Sequence, residues 1–255
     1  KYKLYEFGSP YKADRKLSGG SGKVEFITIH NTNRILVSSG TTMAEQYMRA
    51  TWPNANMYDS RVHYYIDEID CWQQLREDEV GWHAGDGNGP GNESSLAIEI
   101  IMGDEKTPEN LTAENRGALL AAILLNRHNL NMDRLVTHNK WDSNKYCPLY
   151  ILPHWDQFKN KVMDHLDNIK RYTNEIQRME DNPAIGDLVS IDSSAKYYSG
   201  ESIPLWVLNQ NWYVYDITNG ERVVINENES GTNRICSPIH KKYLKVVRRT
   251  PTQNS

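Results

Sequence analysis

The spacing of apolar residues changes several times along the first two thirds of the chain. Residues 24–30 and 96–102 are short, nearly continuous apolar runs, which favour buried strands. Residues 112–130 and 153–171 instead repeat apolar side chains every three or four positions, which favours amphipathic helices. Strands that alternate with helices are typical of an α/β domain, so the pattern predicts an α/β fold for this part.

Shorter sequence patterns predict further strands and a helix between these elements. Residues 62–67 and 71–75 have strand-like composition and are separated by a Glu-Ile-Asp turn, which predicts a hairpin. Thr42 followed by Glu45 three positions later forms a capping-box pattern and predicts the start of a short helix. Residues 135–137 predict a brief strand before a second cluster of polar residues.

The residue composition of the sequence changes near residue 170. A polar segment ends at Pro183, and from Gly186 to Val247 short β-favouring runs alternate with Gly, Asn and Ser, which predicts a small all-β barrel. One of these runs is Leu-Trp-Val-Leu at 205–208. The predicted organisation is a catalytic domain at 1–170, a linker at 171–183, a β domain at 184–250 and a tail at 251–255.

Composition and charge narrow the classes of partner. The 255 residues are 38% hydrophobic and 24% charged, with a formal net charge of -4 and no basic block. Nucleic acid is therefore not an expected partner, because its phosphates require clustered Lys and Arg. No apolar run reaches the roughly 20 residues of a membrane span, and no signal peptide is visible, so no membrane partner is expected. The oligomeric state is left undetermined.

Three residues are candidate metal ligands because of their type and their positions in the chain. His30 ends a predicted strand, His138 ends another, and Cys147 follows nine positions later in a polar loop. Two imidazoles and one thiolate supply three ligands for Zn²⁺ and leave a fourth position open, as catalytic zinc sites do. A disulfide between Cys71 and Cys147 is the competing structural interpretation.

Two further residues are candidate functional groups because of the sequence around them. Glu99 lies inside the apolar run 96–102, where a carboxylate is costly to bury without a partner. It is either a functional group or a structural carboxylate bonded to a neighbouring strand or to a ligand histidine. His83 lies in the glycine-rich sequence Gly-Trp-His-Ala-Gly, where an imidazole can contact a polar substrate, so it is a candidate substrate-binding residue.

At these residues the chain resembles the type-2 amidase family of zinc-dependent N-acetylmuramoyl-L-alanine amidases, whose fold is shared with T7 lysozyme and the peptidoglycan recognition proteins. The resemblance covers about residues 20–165. The motifs that carry it are Phe-Ile-Thr-Ile-His-Asn-Thr, Val-His-Tyr-Tyr-Ile-Asp, Glu-Val-Gly-Trp-His-Ala-Gly, Ser-Leu-Ala-Ile-Glu-Ile, and Thr-His-Asn through Lys-Tyr-Cys-Pro, in that order. It implies a mixed central sheet flanked by helices and cleavage of the amide between N-acetylmuramic acid and L-alanine in bacterial peptidoglycan.

The resemblance also implies roles for individual residues. His30, His138 and Cys147 match the zinc ligands, and Glu99 matches the glutamate that acts as general base. Lys145 matches a lysine that stabilises the developing oxyanion, although a solvated loop lysine is the alternative. T7-type relatives carry a catalytic tyrosine where this chain has Val62, and a proton-transfer role for the nearby Tyr64 is therefore doubtful.

The two-domain layout resembles phage endolysins and bacterial autolysins, in which an SH3-like domain binds the cell wall. We therefore expect a lysin made in the host cytoplasm that acts on the wall, with a secreted autolysin as the less favoured reading. The alternative function is that of a recognition protein that binds peptidoglycan without cutting it. Cys147, Glu99 and Lys145 favour the enzyme, because binding alone does not require them.

Overall fold

A computed structural model of the chain describes residues 1, 3–5, 13–33, 40–51, 61–230, 232 and 234–249, without the side chains of 178–181, 234 and 236. The chain divides into two compact units, Lys1–Ile169 and Lys170–Ser255. The predicted tail at 251–255 lies outside the described residues. No helix among the described residues is long and apolar enough to cross a bilayer.

The first unit contains a five-stranded mixed sheet. Its strands are β1 (Phe26–Thr32), β2 (Tyr64–Ile66), β3 (Cys71–Gln73), β4 (Ser95–Ile101) and β5 (Leu135–Thr137), arranged in the order β3-β2-β4-β1-β5. The β2–β3 pair is the predicted antiparallel hairpin, and the other neighbours are parallel. Strands β1 and β4 are the central pair because both are apolar enough to be covered on both faces.

Helices cover the two faces of this sheet, and their bounds are α1 (Met43–Thr51), α2 (Pro90–Ser94), α3 (Pro108–Arg127) and α4 (Trp155–Asp181). Single 3-10 turns occupy Ser18–Gly20, Met132–Arg134, His138–Lys140 and Leu152–His154. The predicted α/β class and the mixed sheet are confirmed. Helix α1 packs on one face beside Tyr65 and Ala97, whereas α3 and α4 cover the other.

Helix α3 lies close to the sheet because its buried face is built from small residues. A Cβ atom added to Gly117 would lie 2.3 Å from Ile100 Cδ1, so only glycine allows this approach. The helix begins earlier than the predicted Thr112: the side chain of Thr107 caps it by accepting from Asn110 N. Thr112 instead donates to the carbonyl of Pro108 within the first turn.

Helix α4 extends well beyond the predicted helical range. Its apolar residues Phe158, Val162 and Leu166 are buried against the sheet, as the 153–171 periodicity predicts. It then continues to Asp181 through most of the segment assigned to a linker at 171–183. That segment is polar but contains no Gly or Pro before Pro183, and its Glu, Gln and Arg residues are good helix formers in solvent.

The second unit contains a five-stranded antiparallel sheet. Its strands are β6 (Leu188–Ile191), β7 (Trp212–Thr218), β8 (Arg222–Asn226), β9 (Arg234–His240) and β10 (Leu244–Arg248), in the order β10-β6-β7-β8-β9, with a 3-10 turn at Lys241–Tyr243. A separate core of apolar residues that includes Val189, Trp212 and Ile225 holds it together. This is the all-β region that the sequence predicts.

One predicted strand of this unit is wrong. Leu205–Leu208 is a single helical turn, α5, that begins directly after Pro204. A four-residue apolar run does not distinguish a strand from a buried turn, and tertiary contacts decide between them. Here Trp212 Nε1 donates to the carbonyl of Val207 at 2.8 Å, which fixes the turn against β7.

Candidate metal centre and catalytic site

The three candidate ligands meet at one place. The ligand atoms of His30, His138 and Cys147 lie within 4.8 Å of one another, and no other group of this kind occurs among the residues that the structure describes. His30 is buried near the end of β1, whereas His138 and Cys147 are partly buried. The fold therefore brings His30 together with His138 and Cys147, which lie more than 100 positions later in the chain, as the sequence predicts.

Sheet register and loop geometry bring the ligands together. Ile29 is paired with Thr137 in the parallel β1–β5 ladder, so the next residues, His30 and His138, leave the ladder side by side. The loop after His138 then folds back on itself. Asn139 N donates to the carbonyl of Cys147 at 2.9 Å, which returns the cysteine to the two histidines.

Each imidazole has one nitrogen available for a metal. His138 Nε2 lies 3.1 Å from the carbonyl oxygen of Ala84, which can only accept, so this nitrogen carries the proton and Nδ1 keeps its lone pair. His30 Nδ1 lies 3.8 Å from Cys147 Sγ, while His30 Nε2 lies 3.1 Å from His83 Nδ1. Two imidazole nitrogens and one sulfur are a donor set that fits a catalytic zinc ion, which takes water as its fourth ligand.

The electrostatic setting is consistent with this fit. Burial, followed by the nearby imidazoles of His83 and His138, lowers the pKa of His30 well below its usual value. Burial also lowers the pKa of His138, so both rings are neutral at pH 7 and can coordinate a cation. Burial and the neighbouring carboxylate of Glu99 raise the pKa of Cys147 to about 12. Metal binding at Cys147 must therefore displace a proton.

Glu99 lies on the face of the sheet that carries the histidine cluster. It is the direct partner of His30 in the β1–β4 ladder and of Tyr65 in the β2–β4 ladder. Burial raises the pKa of Glu99 to about 8. A carboxyl group with such a pKa can both take and give a proton near neutral pH.

Lys145 lies in the ligand loop and is exposed to solvent. Its backbone makes three hydrogen bonds: Lys145 N donates to the carbonyl of Asp142, and the carbonyl of Lys145 accepts from Cys147 N and from Asn139 Nδ2. Its ammonium charge contributes to the lowered pKa of His138 and partly offsets the rise in the pKa of Cys147. Lys145 is therefore close enough to act electrostatically on the cluster.

His83, the candidate substrate-binding residue, is largely buried beside the histidine cluster. Its side chain is only 8% exposed, and its ring meets that of His30 edge to face. The glycine-rich pattern around it predicts a loop correctly, but burial depends on packing that the local sequence does not encode. Gly85 follows with φ of +73°, a turn that a side chain would strain.

Tyr64 lies away from the cluster. It is paired with Ile98 and buried in the core on the opposite face of the sheet, and its hydroxyl donates to Glu77. Among the remaining histidines, His63 is fully buried, with Nε2 bonded to the carbonyl of Glu79 and Nδ1 accepting from Ala97 N. Cys71 and Cys147 are both free, so the competing disulfide does not form.

Sequence reasoning missed the groups that surround the ligands. Trp141 Nε1 donates to Thr28 Oγ1 at 2.8 Å, which ties the ligand loop to the strand that carries His30. The carbonyl of Ala84 holds His138, as described above. A backbone carbonyl leaves no trace in a residue pattern, whereas Trp141 in a polar loop is a signal that could have indicated a packing contact.

Comparison with known proteins agrees with this geometry. A family model described as N-acetylmuramoyl-L-alanine amidase matches residues 20–149, a little over half of the chain. The chain belongs to this amidase family. The matched range contains all three candidate ligands together with Glu99 and Lys145.

Individual relatives are similar to about half of the chain or somewhat more. The amidase CwlH of Bacillus subtilis is 36% identical over 138 residues, which are 54% of this chain and 52% of that protein. The amidase XlyA of the same organism is 35% identical over 134 residues, 52% of this chain and 42% of that one. The match thus spans about half the length of these curated relatives. The structure of the XlyA catalytic domain aligns at a TM-score of 0.53 with 28% identity, covering 64% of this chain and 99% of that domain.

Proposed function

We propose that this protein is a zinc-dependent N-acetylmuramoyl-L-alanine amidase that cuts bacterial peptidoglycan and lyses cell walls. The observation that supports it most directly is the convergence of His30, His138 and Cys147 within 4.8 Å, inside a range that matches the amidase family. The bond cut is the amide between N-acetylmuramic acid and the L-alanine of the stem peptide.

The metal-binding part of the proposal assigns Zn²⁺ to these three residues. When bound there, zinc would acidify a water molecule and polarise the scissile carbonyl. His30 and His138 contribute neutral nitrogens, and Cys147 contributes a thiolate after losing its proton. The buried surroundings of His30 keep competing water away from that side of the cluster.

Glu99 and Lys145 have complementary roles in this proposal. Glu99 is the general base: its carboxylate, next to His30 in the ladder, takes a proton from the attacking water and later gives it to the leaving alanine nitrogen. Lys145, exposed beside the cluster, places its ammonium where the carbonyl oxygen gains negative charge. Neither role is needed by a protein that only binds the wall.

A chemical assay on isolated cell walls tests the activity. The purified protein should release new N-terminal alanine without new reducing sugar, lose activity with a strong chelator and regain it when zinc is added. New reducing ends in place of N-terminal alanine would show a glycosidase instead. Binding to walls without any cleavage would favour the recognition-protein alternative.

For the second unit we propose a wall-binding role as an SH3-like domain. Its antiparallel sheet has its own core, and it exposes aromatic side chains, with Tyr198 and Trp206 at 50% and 63% exposure. Exposed aromatic rings are common at carbohydrate- and peptide-binding surfaces because they offer large contact area at low entropic cost. Sedimentation with walls should carry down the full chain more efficiently than a chain that ends after Pro183; equal sedimentation would contradict this role.

A further inference from the structure

The segment between β3 and α2 makes a direct contact with both histidine ligands. The His83 ring lies against His30, with 3.1 Å between His83 Nδ1 and His30 Nε2. The next residue, Ala84, accepts from His138 Nε2 through its carbonyl oxygen at 3.1 Å. Two consecutive residues therefore contact the Nε2 atoms of His30 and His138.

Buried hydrogen bonds to Asn92 fix the backbone of this segment. The side-chain oxygen of Asn92 accepts from the backbone N–H groups of both His83 and Ala84, each at 2.8 Å. Asn92 is 1% exposed, and its Nδ2 donates to the carbonyl of Gly87 at 2.8 Å. The position of His83 is thus determined by buried hydrogen bonds and does not depend on a flexible loop.

The proton positions along the contact follow from the acceptors at its far end. His83 Nε2 lies 3.4 Å from Ser95 Oγ, and Ser95 Oγ donates to the carbonyl of Gly91 at 2.6 Å. Because that hydroxyl proton is committed to Gly91, Ser95 can only accept from His83, so His83 Nε2 carries a proton. His83 is then neutral with a lone pair on Nδ1, and it accepts a hydrogen bond from His30 Nε2–H.

We propose that His83 is a positioning residue of the metal centre: its Nδ1 holds His30 in the Nε2–H tautomer and so aims the lone pair of His30 Nδ1 at the metal. The inference rests on the zinc site proposed above. Partners behind ligand histidines are most often carboxylates or carbonyls, and they fix the ring and raise its basicity. Here a second neutral imidazole performs this task.

A pair of substitutions separates this role from simple packing. Asn at position 83 can place its side-chain oxygen near the site of the histidine Nδ1, whereas Gln reaches toward the site of Nε2. His83→Asn should therefore keep the contact to His30, and His83→Gln should lose it while retaining polarity and size. His83→Ala removes both contacts.

Zinc affinity, measured by chelator competition, is the primary readout. His83→Ala and His83→Gln should weaken zinc binding about tenfold to a hundredfold, the usual effect of losing a partner behind a ligand. His83→Asn should stay within about threefold of the parent protein, and Co²⁺-loaded protein should show altered absorption bands for Ala and Gln only. Equal effects of Asn and Gln, or no effect of any of the three, would overturn the proposal.

A measurement on the unsubstituted protein tests the same role if the variants do not fold. In zinc-loaded protein with ¹⁵N-labelled histidine, NMR should find the ring proton of both His30 and His83 on Nε2. A proton on Nδ1 of His83 would refute the inference. If the parent protein binds no zinc, or if Cys147→Ser binds zinc equally well, the proposed metal site is wrong. If Cys147→Ser loses zinc but the His83 variants bind it like the parent protein, the metal site stands and the role of His83 alone is wrong.

Discussion

Glu99 lies directly opposite His30 in the parallel ladder of β1 and β4, so both side chains emerge on the same face of the sheet. One strand thus supplies a candidate metal ligand, and its neighbour supplies a carboxyl group opposite it in the ladder. Glu99→Gln removes the ionisable group but keeps its size. We expect kcat to fall by about 10²–10⁴-fold, the usual contribution of a general base, while zinc affinity changes little.

The matched control for this prediction is Glu105→Gln, which removes an exposed carboxylate from the loop after β4. It should leave turnover close to that of the parent protein. If Glu99→Gln retained full activity with unchanged zinc content, the general-base assignment would be wrong.

Cys147 and Cys71 offer a second matched pair. Both are free and partly buried, but only Cys147 lies in the histidine cluster. Cys147→Ser should abolish turnover and zinc binding because a neutral hydroxyl is a poor substitute for thiolate, whereas Cys71→Ser should preserve both. Zinc content after gel filtration and wall hydrolysis measure the two effects, and circular dichroism verifies the fold. A zinc-binding, active Cys147→Ser variant would show that the ligand set is incorrect.

Stability in acid should depend on Glu77. Burial alone would raise the pKa of its carboxyl group, but hydrogen bonds from His128 and Tyr64 and the charge of Arg127 lower it to about 2. Its unfolded-state pKa is about 4.3, so the stabilisation is fully present above that pH and is lost as the pH falls toward 2. Glu77→Gln should lower the free energy of unfolding at pH 7 by about 1–2 kcal/mol, allowing for partial solvent screening.

Urea unfolding of parent and Glu77→Gln protein across this range provides the measurement. The difference in unfolding free energy between them should shrink steadily from pH 5 to pH 2. A difference independent of pH would mean that Glu77 stabilises the fold through packing and not through its charge.

Close packing between α3 and the sheet gives a prediction independent of the metal. Gly117→Ala would place a methyl group against Ile100, which is completely buried. We expect a loss of about 1–3 kcal/mol in unfolding free energy, although alanine favours helix. The double variant Gly117→Ala/Ile100→Val should recover part of this loss, because valine lacks the Cδ1 atom that clashes. Additive losses would argue against a direct contact.

The sequence predicts the first unit well where pattern and packing coincide. Residues 135–137 are the observed strand β5, and the apolar stripe of Phe158, Val162 and Leu166 is the buried face of α4. Leu205–Leu208 was misassigned because four apolar residues satisfy a strand and a turn equally, and the contact from Trp212 settles the choice. The extension of α4 to Asp181 was missed because a solvated polar helix lacks an apolar stripe.

In the candidate site, too, some features are predicted by the sequence and others depend on packing. His30, His138 and Cys147 are recognisable because their residue types carry the chemistry, and the structure brings them together. The burial of His83 could not be predicted from the residues next to it, since Asn92 and Ser95, at the junction of α2 and β4, contact it through the fold. Residue identity identifies ligands, whereas the partners behind them emerge only in three dimensions.

The strand order of the first unit has a consequence for protein synthesis. Among the described residues, strand β1, with His30, pairs with β4 and β5, whose partner residues are made about 70 and 110 residues later. The nascent chain must therefore hold an apolar, unpaired strand until its neighbours emerge, a situation that exposes it to misfolding. By the same order, the histidine–cysteine cluster is complete only after Cys147 has been added, so a shorter nascent chain cannot present all three candidate ligands.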